Sequence, residues 1–248
     1  MLIGVTGLVL LFSLSVFGQG TTSRLLGVVS DATGSSVANA NVTLTNEGTA
    51  AAFNTKTSDN GAYTFDSIQP GLYTLGVEAN GFRKYSAKGN RVSIGQPTTI
   101  NLSLQLGTLT EVVEVSGAAE VVQTATSGNF GQLLEEKTIK DLPIVGTRGR
   151  NPLQLLEIQP GVSSGANTGG GVHIHGARDR SWNFTLDGID VNESSAGGSN
   201  FTPLRPNPDM LAEFRVLTGN FTADSGRNSG GQVAMVTKSG TNEFHGSG

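Results

Sequence analysis

The sequence predicts a mainly β protein in two parts, a sandwich of two antiparallel sheets followed by an α+β domain. Three observations predict it. Short runs in the first hundred residues alternate apolar with polar side chains, and turn sequences rich in Asp, Asn and Gly separate them. The second part mixes helical and strand patterns. Charged residues make up only 15% of the chain and glycine occurs 35 times, which is typical of a turn-rich exported protein.

The N-terminal residues have the pattern of an export signal. Val5 to Phe17 form an apolar run as long as a signal-peptide core, and Gly18-Gln19-Gly20 supply the small and polar residues of a cleavage region. We therefore expect residues 1–18 to be a signal peptide, although the first basic residue, Arg24, comes after the run. A short membrane anchor is the alternative, but a membrane span needs about 20 apolar residues.

Residues 24–106 carry the alternation that predicts the sandwich. A period of two places one side of each strand in a core and the other side in water. Turn chemistry at Asp59-Asn60-Gly61 and Gln69-Pro70-Gly71 separates the runs. The side chains expected to face the core are those of Ala40, Val42, Leu44, Tyr63, Phe65, Tyr73, Leu75, Val77, Ile100, Leu102, Leu104 and Leu106.

Two stretches of this part, GVVSDATGSSVANANVTLTN and TSDNGAYTFDSIQPGLYTLGVEANGFRKY, resemble the carboxypeptidase-regulatory-like domain. That domain is a transthyretin-like, or prealbumin-like, β-sandwich of seven strands. The resemblance implies an accessory module without catalytic residues. Asp59 and Asp66 fit this interpretation, because one opens a turn and the other follows a strand pattern, and nothing pairs them at a spacing for acid–base chemistry.

Residues 107–118 are expected to link the two domains. Within them lies a short, extended and β-branched segment, which suits attachment through main-chain hydrogen bonds to a partner strand. The segment consists of Glu111, Val112, Val113, Glu114 and Val115. Two interpretations remain open: a strand that binds a partner protein, and the first strand of the second domain's own sheet.

Residues 119–240 are expected to form the α+β domain. Helices are predicted at residues 133–139 and 152–158, the second with Pro152 early in it and Pro160-Gly161 after it, and a brief helix at 209–212. A long polar loop is predicted at residues 191–208. The predicted strands are residues 172–175, 182–186, 213–217 and 232–237, with Asp187-Gly188 as a turn.

Three blocks of this domain, in order, resemble the plug domain of TonB-dependent outer-membrane receptors, and of Oar-like receptors in particular. The first runs from Leu142-Pro143 through Gly149-Arg150-Asn151 to Gln159-Pro160-Gly161, and Thr147-Arg148 lengthens it relative to the pattern, so that the equivalence of Arg148 and Arg150 stays open. The others are His175 to Arg178 with Phe184 to Asp190, and Ala212 to Gly248. The plug-motif residues are Arg150, Arg178, Asp187, Gly188, Gly230 and Gly231.

The resemblance implies a transporter whose barrel is missing from this chain, with residues 241–248 as the start of the first barrel strand. It implies a TonB-like energy transducer as partner, which would pair with residues 111–115 as the TonB box, and the chain's own C-terminal β-barrel as a second partner. The substrate is unidentified, with carbohydrate or peptide as the candidates, and would meet the 191–208 loop. The expected location is the periplasmic face of the outer membrane.

Other functions fit the sequence less well. His173 and His175 would project from one side of a strand, as a zinc site needs, with Asp179 or Asp187 to complete it, but a third ligand of fixed geometry is not evident. We expect no metal, no cofactor and no enzymatic activity. Nucleic-acid binding needs a concentrated basic face, whereas residues 107–248 carry ten Lys and Arg against fifteen Asp and Glu. The alternative to a transporter is a secreted or periplasmic sandwich that binds carbohydrate or a surface partner.

Overall fold

The computed structural model describes residues 22–107, 112–116, 130–142, 150–164, 172–178, 181–192, 206–219 and 229–244. The expected signal peptide at residues 1–18, Glu111, Arg148, Asp179 and most of the predicted polar loop lie outside these ranges. No helix within them is long and apolar enough to cross a membrane.

The first part of the chain forms two β-sheets around one core. The first sheet has the order β4-β1-β7, with β8 also paired to β1, and the second has the order β3-β2-β5-β6-β9. The strands are β1 (Ser23–Asp31), β2 (Asn41–Asn46), β3 (Ala52–Lys56), β4 (Ala62–Ile68), β5 (Gly71–Glu78), β6 (Lys84–Val92), β7 (Thr98–Thr99), β8 (Leu102–Leu104) and β9 (Val112–Ser116).

Strand direction in this sandwich departs from the prediction of two antiparallel sheets. β7 and β8 both pair parallel with β1, and β9 pairs parallel with β6. Parallel neighbours require the chain to cross over between them, and here it does so by passing to the other sheet before returning. Alternation along one strand does not encode the direction of its partner, so the sequence pattern could not supply this detail.

The predicted core of the sandwich is confirmed with one exception. Eleven of the twelve side chains named above are at most 6% exposed, and they pack in a single cluster with Leu25, Val29, Ile68 and Val92. Leu106 is 73% exposed, because β8 ends at Leu104 and the alternation no longer follows a strand of the sheet.

The second part is an α+β domain with a five-stranded sheet of order β10-β15-β16-β13-β14 and a two-stranded sheet, β11-β12. In the larger sheet β13 and β16 are parallel and the other pairs are antiparallel. The elements are β10 (Phe130–Glu135), α1 (Glu136–Asp141), a first 3₁₀ helix (Pro152–Leu156), β11 (Val162–Ser164), β12 (Val172–Ile174), β13 (Trp182–Leu186), β14 (Ile189–Asp190), a second 3₁₀ helix (Pro208–Met210), β15 (Leu211–Gly219) and β16 (Gly231–Thr237).

The predicted strands of this domain are present, whereas the helices differ from the prediction. Residues 133–135 belong to β10, so the helix predicted at 133–139 begins only at Glu136. The helix predicted at 152–158 is a 3₁₀ turn over Pro152–Leu156, which the Asn151 side chain caps by accepting a hydrogen bond from the Leu153 N–H at 3.1 Å. The helix predicted at 209–212 is a 3₁₀ turn over Pro208–Met210, since Leu211 already pairs in β15.

Candidate functional site

The segment predicted to bind a partner lies at the edge of the sandwich. β9 pairs with β6 so that Lys84 lies opposite Val112, Tyr85 opposite Val113, and Lys88 opposite Ser116. It is the last strand in the order of its sheet, and within the described part of the chain no strand pairs with its other side. The interpretation of this segment as the first strand of the second domain's sheet is therefore wrong: its partner is the sandwich.

A bulge on β6 lies where its pairing with β9 ends. Gly89 takes the left-handed conformation with φ +75°, which favours glycine, and its N–H donates to Glu47 Oε1 at 2.8 Å. The buried Asn90 side chain donates to the main-chain oxygens of Tyr73 at 3.1 Å and Ala87 at 2.8 Å. These bonds satisfy main-chain oxygens beside the register shift of β5 on β6. The last residue of β6 that pairs with β9 is Lys88.

Asp187 and Gly188 form the predicted turn, between β13 and β14. Both residues have positive φ, +48° and +78°. The Asp187 carboxylate accepts hydrogen bonds from the Thr237 N–H at 2.9 Å and the Thr237 hydroxyl at 2.8 Å. This motif therefore ties the β13–β14 turn to the end of the neighbouring strand β16.

Arg150 lies at the same end of the sheet and pairs with Asp209. One guanidinium nitrogen contacts both carboxylate oxygens at 3.1 Å. The Lys238 ammonium donates to the Asp209 main-chain oxygen at 2.6 Å and pairs with Glu136 at 2.9 Å, and Glu136 also pairs with Lys140 at 2.7 Å. The two lysines lower the pKa of Glu136 by hydrogen bonding and by charge. This cluster joins α1, the second 3₁₀ helix and the residue after β16.

Arg178, Gly230 and Gly231 lie at the opposite end of β13 and β16. The main-chain oxygen of Arg178 accepts from the N–H of Ser181 at 3.1 Å, and the Ser181 oxygen in turn accepts from the Gly230 N–H at 2.9 Å. A methyl group on Gly230 would lie 2.7 Å from the Ala177 Cβ, and one on Gly231 would lie 2.9 Å from the Ile174 side chain. The glycines are needed because a loop and the sheet approach each other closely here. The six predicted motif residues thus form two groups, not one site.

Sequence reasoning missed a charged contact between the two domains. Residues 93–96 form a turn after β6, and the Ile94 N–H donates to Glu213 Oε2 at 3.0 Å. The Arg215 guanidinium donates to the Ile94 main-chain oxygen. Glu213 is 3% exposed and Arg215 is 7% exposed, both on β15. Two side chains of opposite charge therefore bind the donor and the acceptor of one residue in the sandwich.

Burial controls the ionisation of both side chains. Desolvation raises the pKa of Glu213, although hydrogen bonds from Ile94 and Ser93 and the charges of Arg91 and Arg215 act in the other direction. Desolvation likewise lowers the pKa of Arg215, against the charge of Glu213. The sequence does hold a signal for this contact: opposite charges at i and i+2 in a strand that is otherwise apolar.

Two further contacts join the domains. Arg91, on β6, pairs with Glu135, on β10, at 3.4 Å. The Asn242 N–H donates to the Gly48 oxygen at 3.0 Å, and the Asn242 side chain donates to the Thr49 oxygen at 3.1 Å. The second domain therefore meets the sandwich at the end of β6 and at the turn after it, and the residues that follow the second domain contact the turn between β2 and β3.

The two histidines do not project together from a strand. His173 lies on β12 and its Nδ1 is 2.9 Å from the Ala177 main-chain oxygen, whereas His175 lies beyond the strand with φ +49°. Within the described ranges, no group of three His, Asp or Glu side chains could hold a metal ion.

Comparison with known proteins matches both parts of the chain. The model of the carboxypeptidase regulatory-like domain matches residues 24–105, and the model of the TonB-dependent receptor plug domain matches residues 137–233. The TonB-dependent transporter Oar of Myxococcus xanthus is 29% identical over 244 residues, which cover 96% of this chain and 22% of that protein.

Similar solved structures correspond to about a third of the chain. A putative carbohydrate binding protein from Bacteroides uniformis is 15% identical, with a TM-score of 0.30 over 34% of this chain and 42% of that one. The 5-hydroxyisourate hydrolase of Klebsiella pneumoniae is 22% identical, with a TM-score of 0.28 over 34% of this chain and 92% of that one. Such low scores carry no functional argument. The family matches instead identify a carboxypeptidase regulatory-like domain at residues 24–105 and a TonB-dependent receptor plug domain at residues 137–233.

Proposed function

We propose that this chain is the N-terminal, periplasm-facing portion of a TonB-dependent outer-membrane transporter, and that it gates substrate uptake through a β-barrel. The chain spans 22% of the length of the matched Oar transporter. The plug match and the similarity to Oar over 96% of the chain support the proposal. They do not favour the alternative of a secreted carbohydrate-binding sandwich.

The observation that carries the proposal is the edge position of β9. A strand with one unpaired side offers a row of main-chain N–H and C=O groups, to which an extended segment of a partner can add. β9 includes four of the five residues of the expected TonB box, and it is held in place by β6. A TonB-type transducer would thus find a strand that is already extended.

The second domain would close the lumen of the barrel. A transmembrane barrel of about 22 strands encloses a lumen that requires a plug, and the interior wall of such a barrel is polar. The described surface of the plug carries the exposed Arg150–Asp209 pair and the Glu136, Lys140 and Lys238 cluster, which suit contact with a polar wall. The role is non-enzymatic and requires no cofactor, and the substrate would be a carbohydrate or a peptide.

Substitution at Val113 tests the proposal. Proline at this position removes a main-chain N–H from β9, whereas alanine leaves every main-chain group in place. We expect Val113→Pro to weaken binding of the chain to the periplasmic domain of a TonB-type transducer by at least about tenfold, because strand addition depends on main-chain bonds. We expect Val113→Ala to bind within about twofold of wild type, since side chains contribute less to this mode of recognition.

Isothermal titration calorimetry with the purified transducer domain measures both affinities. Thermal unfolding of each variant checks that the sandwich core is intact, because β9 lies at an edge and its loss leaves the core residues of β1, β2 and β5 in place. Equal affinities for the proline and alanine variants would exclude β9 as the docking strand.

A further inference from the structure

We propose that Glu213 and Arg215 form a latch that fixes the sandwich to plug strand β15 by binding the main chain of Ile94. The latch is defined by these two side chains and by the turn at residues 93–96. It does not depend on the proposed transport function, because it follows from contacts within the chain.

The chemistry of the contact is specific. A carboxylate accepts from the Ile94 N–H at 3.0 Å and a guanidinium donates to the oxygen of the same residue. The left-handed conformation of Gly95, φ +60°, shapes the turn, and a methyl group there would lie 3.3 Å from an Arg215 nitrogen. The two side chains therefore bind the main chain of one residue in a turn whose shape depends on Gly95.

Burial shows why the contact behaves as a latch. A charged side chain loses its hydration when it is buried, and hydrogen bonds must compensate for that loss. Glu213 accepts such a bond from the Ile94 N–H and Arg215 donates one to the Ile94 oxygen, and Ile94 is itself 7% exposed. If the sandwich moves away, both side chains return to water together with Ile94. The docked and undocked arrangements are therefore two distinct states.

A second charged contact between the domains lies beside the latch. Glu135 lies opposite Glu213 in the pairing of β10 with β15, and it binds Arg91 of the sandwich. Like charges on adjacent strands disfavour each other unless a cation lies between them. Arg91 supplies a cation from β6 and Arg215 supplies one from β15, so the sandwich completes a charge pattern that the plug sheet leaves unbalanced.

The latch also gives β6 a mechanical role, and this step rests on the proposed function of β9. β6 pairs with β9 over Lys84 to Lys88, and it leads directly into the turn at residues 93–96. A pull on β9 would load β6 in shear, and the latch would pass that load to β15 in the plug. The sandwich would thus carry force to the plug by a route separate from the linker sequence.

Amide hydrogen exchange at Ile94 tests the latch in the intact chain. We expect the Ile94 amide to be protected in wild type and to exchange at least about tenfold faster in Glu213→Ala, because the acceptor is lost. Glu213→Gln retains an acceptor oxygen and should keep most of the protection. Glu157→Ala is the control, since Glu157 is exposed in the loop after the first 3₁₀ helix.

The amides of β15 and β16 provide an internal reference in the same experiment. If they stay protected in Glu213→Ala, the plug sheet is folded and the change at Ile94 reports undocking. If they also lose protection, the comparison passes to Arg215→Met, which removes the donor to the Ile94 oxygen and should speed exchange at Ile94 while the sheet stays protected. Rapid exchange at Ile94 in wild type, or equal exchange in wild type and Glu213→Ala with the sheet intact, would overturn the latch. Neither result bears on transducer binding by β9.

Discussion

Asp187 shows how one side chain can hold two strands of the plug together. Its carboxylate accepts two hydrogen bonds from Thr237 while its backbone takes the left-handed conformation that Asp and Asn tolerate better than most residues. We expect Asp187→Ala to lower the free energy of unfolding by about 1–2 kcal/mol, because both bonds are lost and alanine fits this conformation poorly. Urea unfolding, followed by the fluorescence of Trp182, measures the difference.

Asp187→Asn is the matched variant for that measurement. Asparagine keeps an acceptor oxygen and tolerates the same backbone conformation, so its loss of stability should be clearly smaller. An alanine variant as stable as the asparagine variant would mean that the bonds to Thr237 contribute nothing to the fold.

Individual residues show which features could be predicted from the sequence and which could not. The Asp187-Gly188 turn was predictable, because its residue types report a backbone conformation directly. The roles of Glu213 and Arg215 were not, because charged side chains at alternate positions of a strand usually indicate its solvent face. Here the sandwich covers that face, and the charge pattern of the strand does not identify the domain that covers it. Phe214 and Val216, which alternate with these two residues, are buried on the other face of the strand.

At the scale of elements, the alternating strands were predictable and their partners were not. Leu133 to Glu135 have residue types that favour a helix, but pairing with β15 places them in β10. β9 was recognised as a strand, whereas its sheet could not be identified, since main-chain pairing has little dependence on side-chain type. In both cases, contacts with strands distant in the sequence determine the secondary structure or the sheet to which the segment belongs.

Strand β1 has no room for a side chain at Gly27. A methyl group on Gly27 would lie 1.8 Å from the Ile100 oxygen, which also accepts a hydrogen bond of 2.7 Å from the Tyr63 hydroxyl. We expect Gly27→Ala to lower the stability of the sandwich by about 3 kcal/mol, because backbone atoms cannot move aside as a flexible side chain would. Differential scanning calorimetry of the chain measures the change.

Gly240 offers the matched control for this substitution. A methyl group there meets no atom within 4 Å and no left-handed conformation is required, so Gly240→Ala should be close to neutral. If Gly27→Ala were equally neutral, then β1 and the residues before β8 would not pack as closely as the structure indicates.

At the scale of the whole molecule, the two domains have separate cores but share contacts at two turns of the sandwich. One cluster of buried side chains fills the sandwich and another fills the plug. The contacts of Ile94 with Glu213 and Arg215, and of Asn242 with Gly48, lie between them. Cores that are separate can unfold separately, so cooperative behaviour between the domains would depend on these contacts.

Calorimetry can measure that dependence. We expect the wild-type chain to unfold in one transition, or in two that overlap strongly, because undocking breaks the hydrogen bonds that join Ile94 to Glu213 and Arg215. Arg215→Met should separate the sandwich and plug transitions by several degrees, since the Ile94 oxygen loses its donor and the carboxylate of Glu213 loses its buried cation. Arg24→Met removes a cation that pairs with Asp66 on the exposed surface of the sandwich, and it should leave the overlap unchanged. Well-separated transitions already in wild type would instead mean that the domains fold independently and that the contact at Ile94 adds little to either.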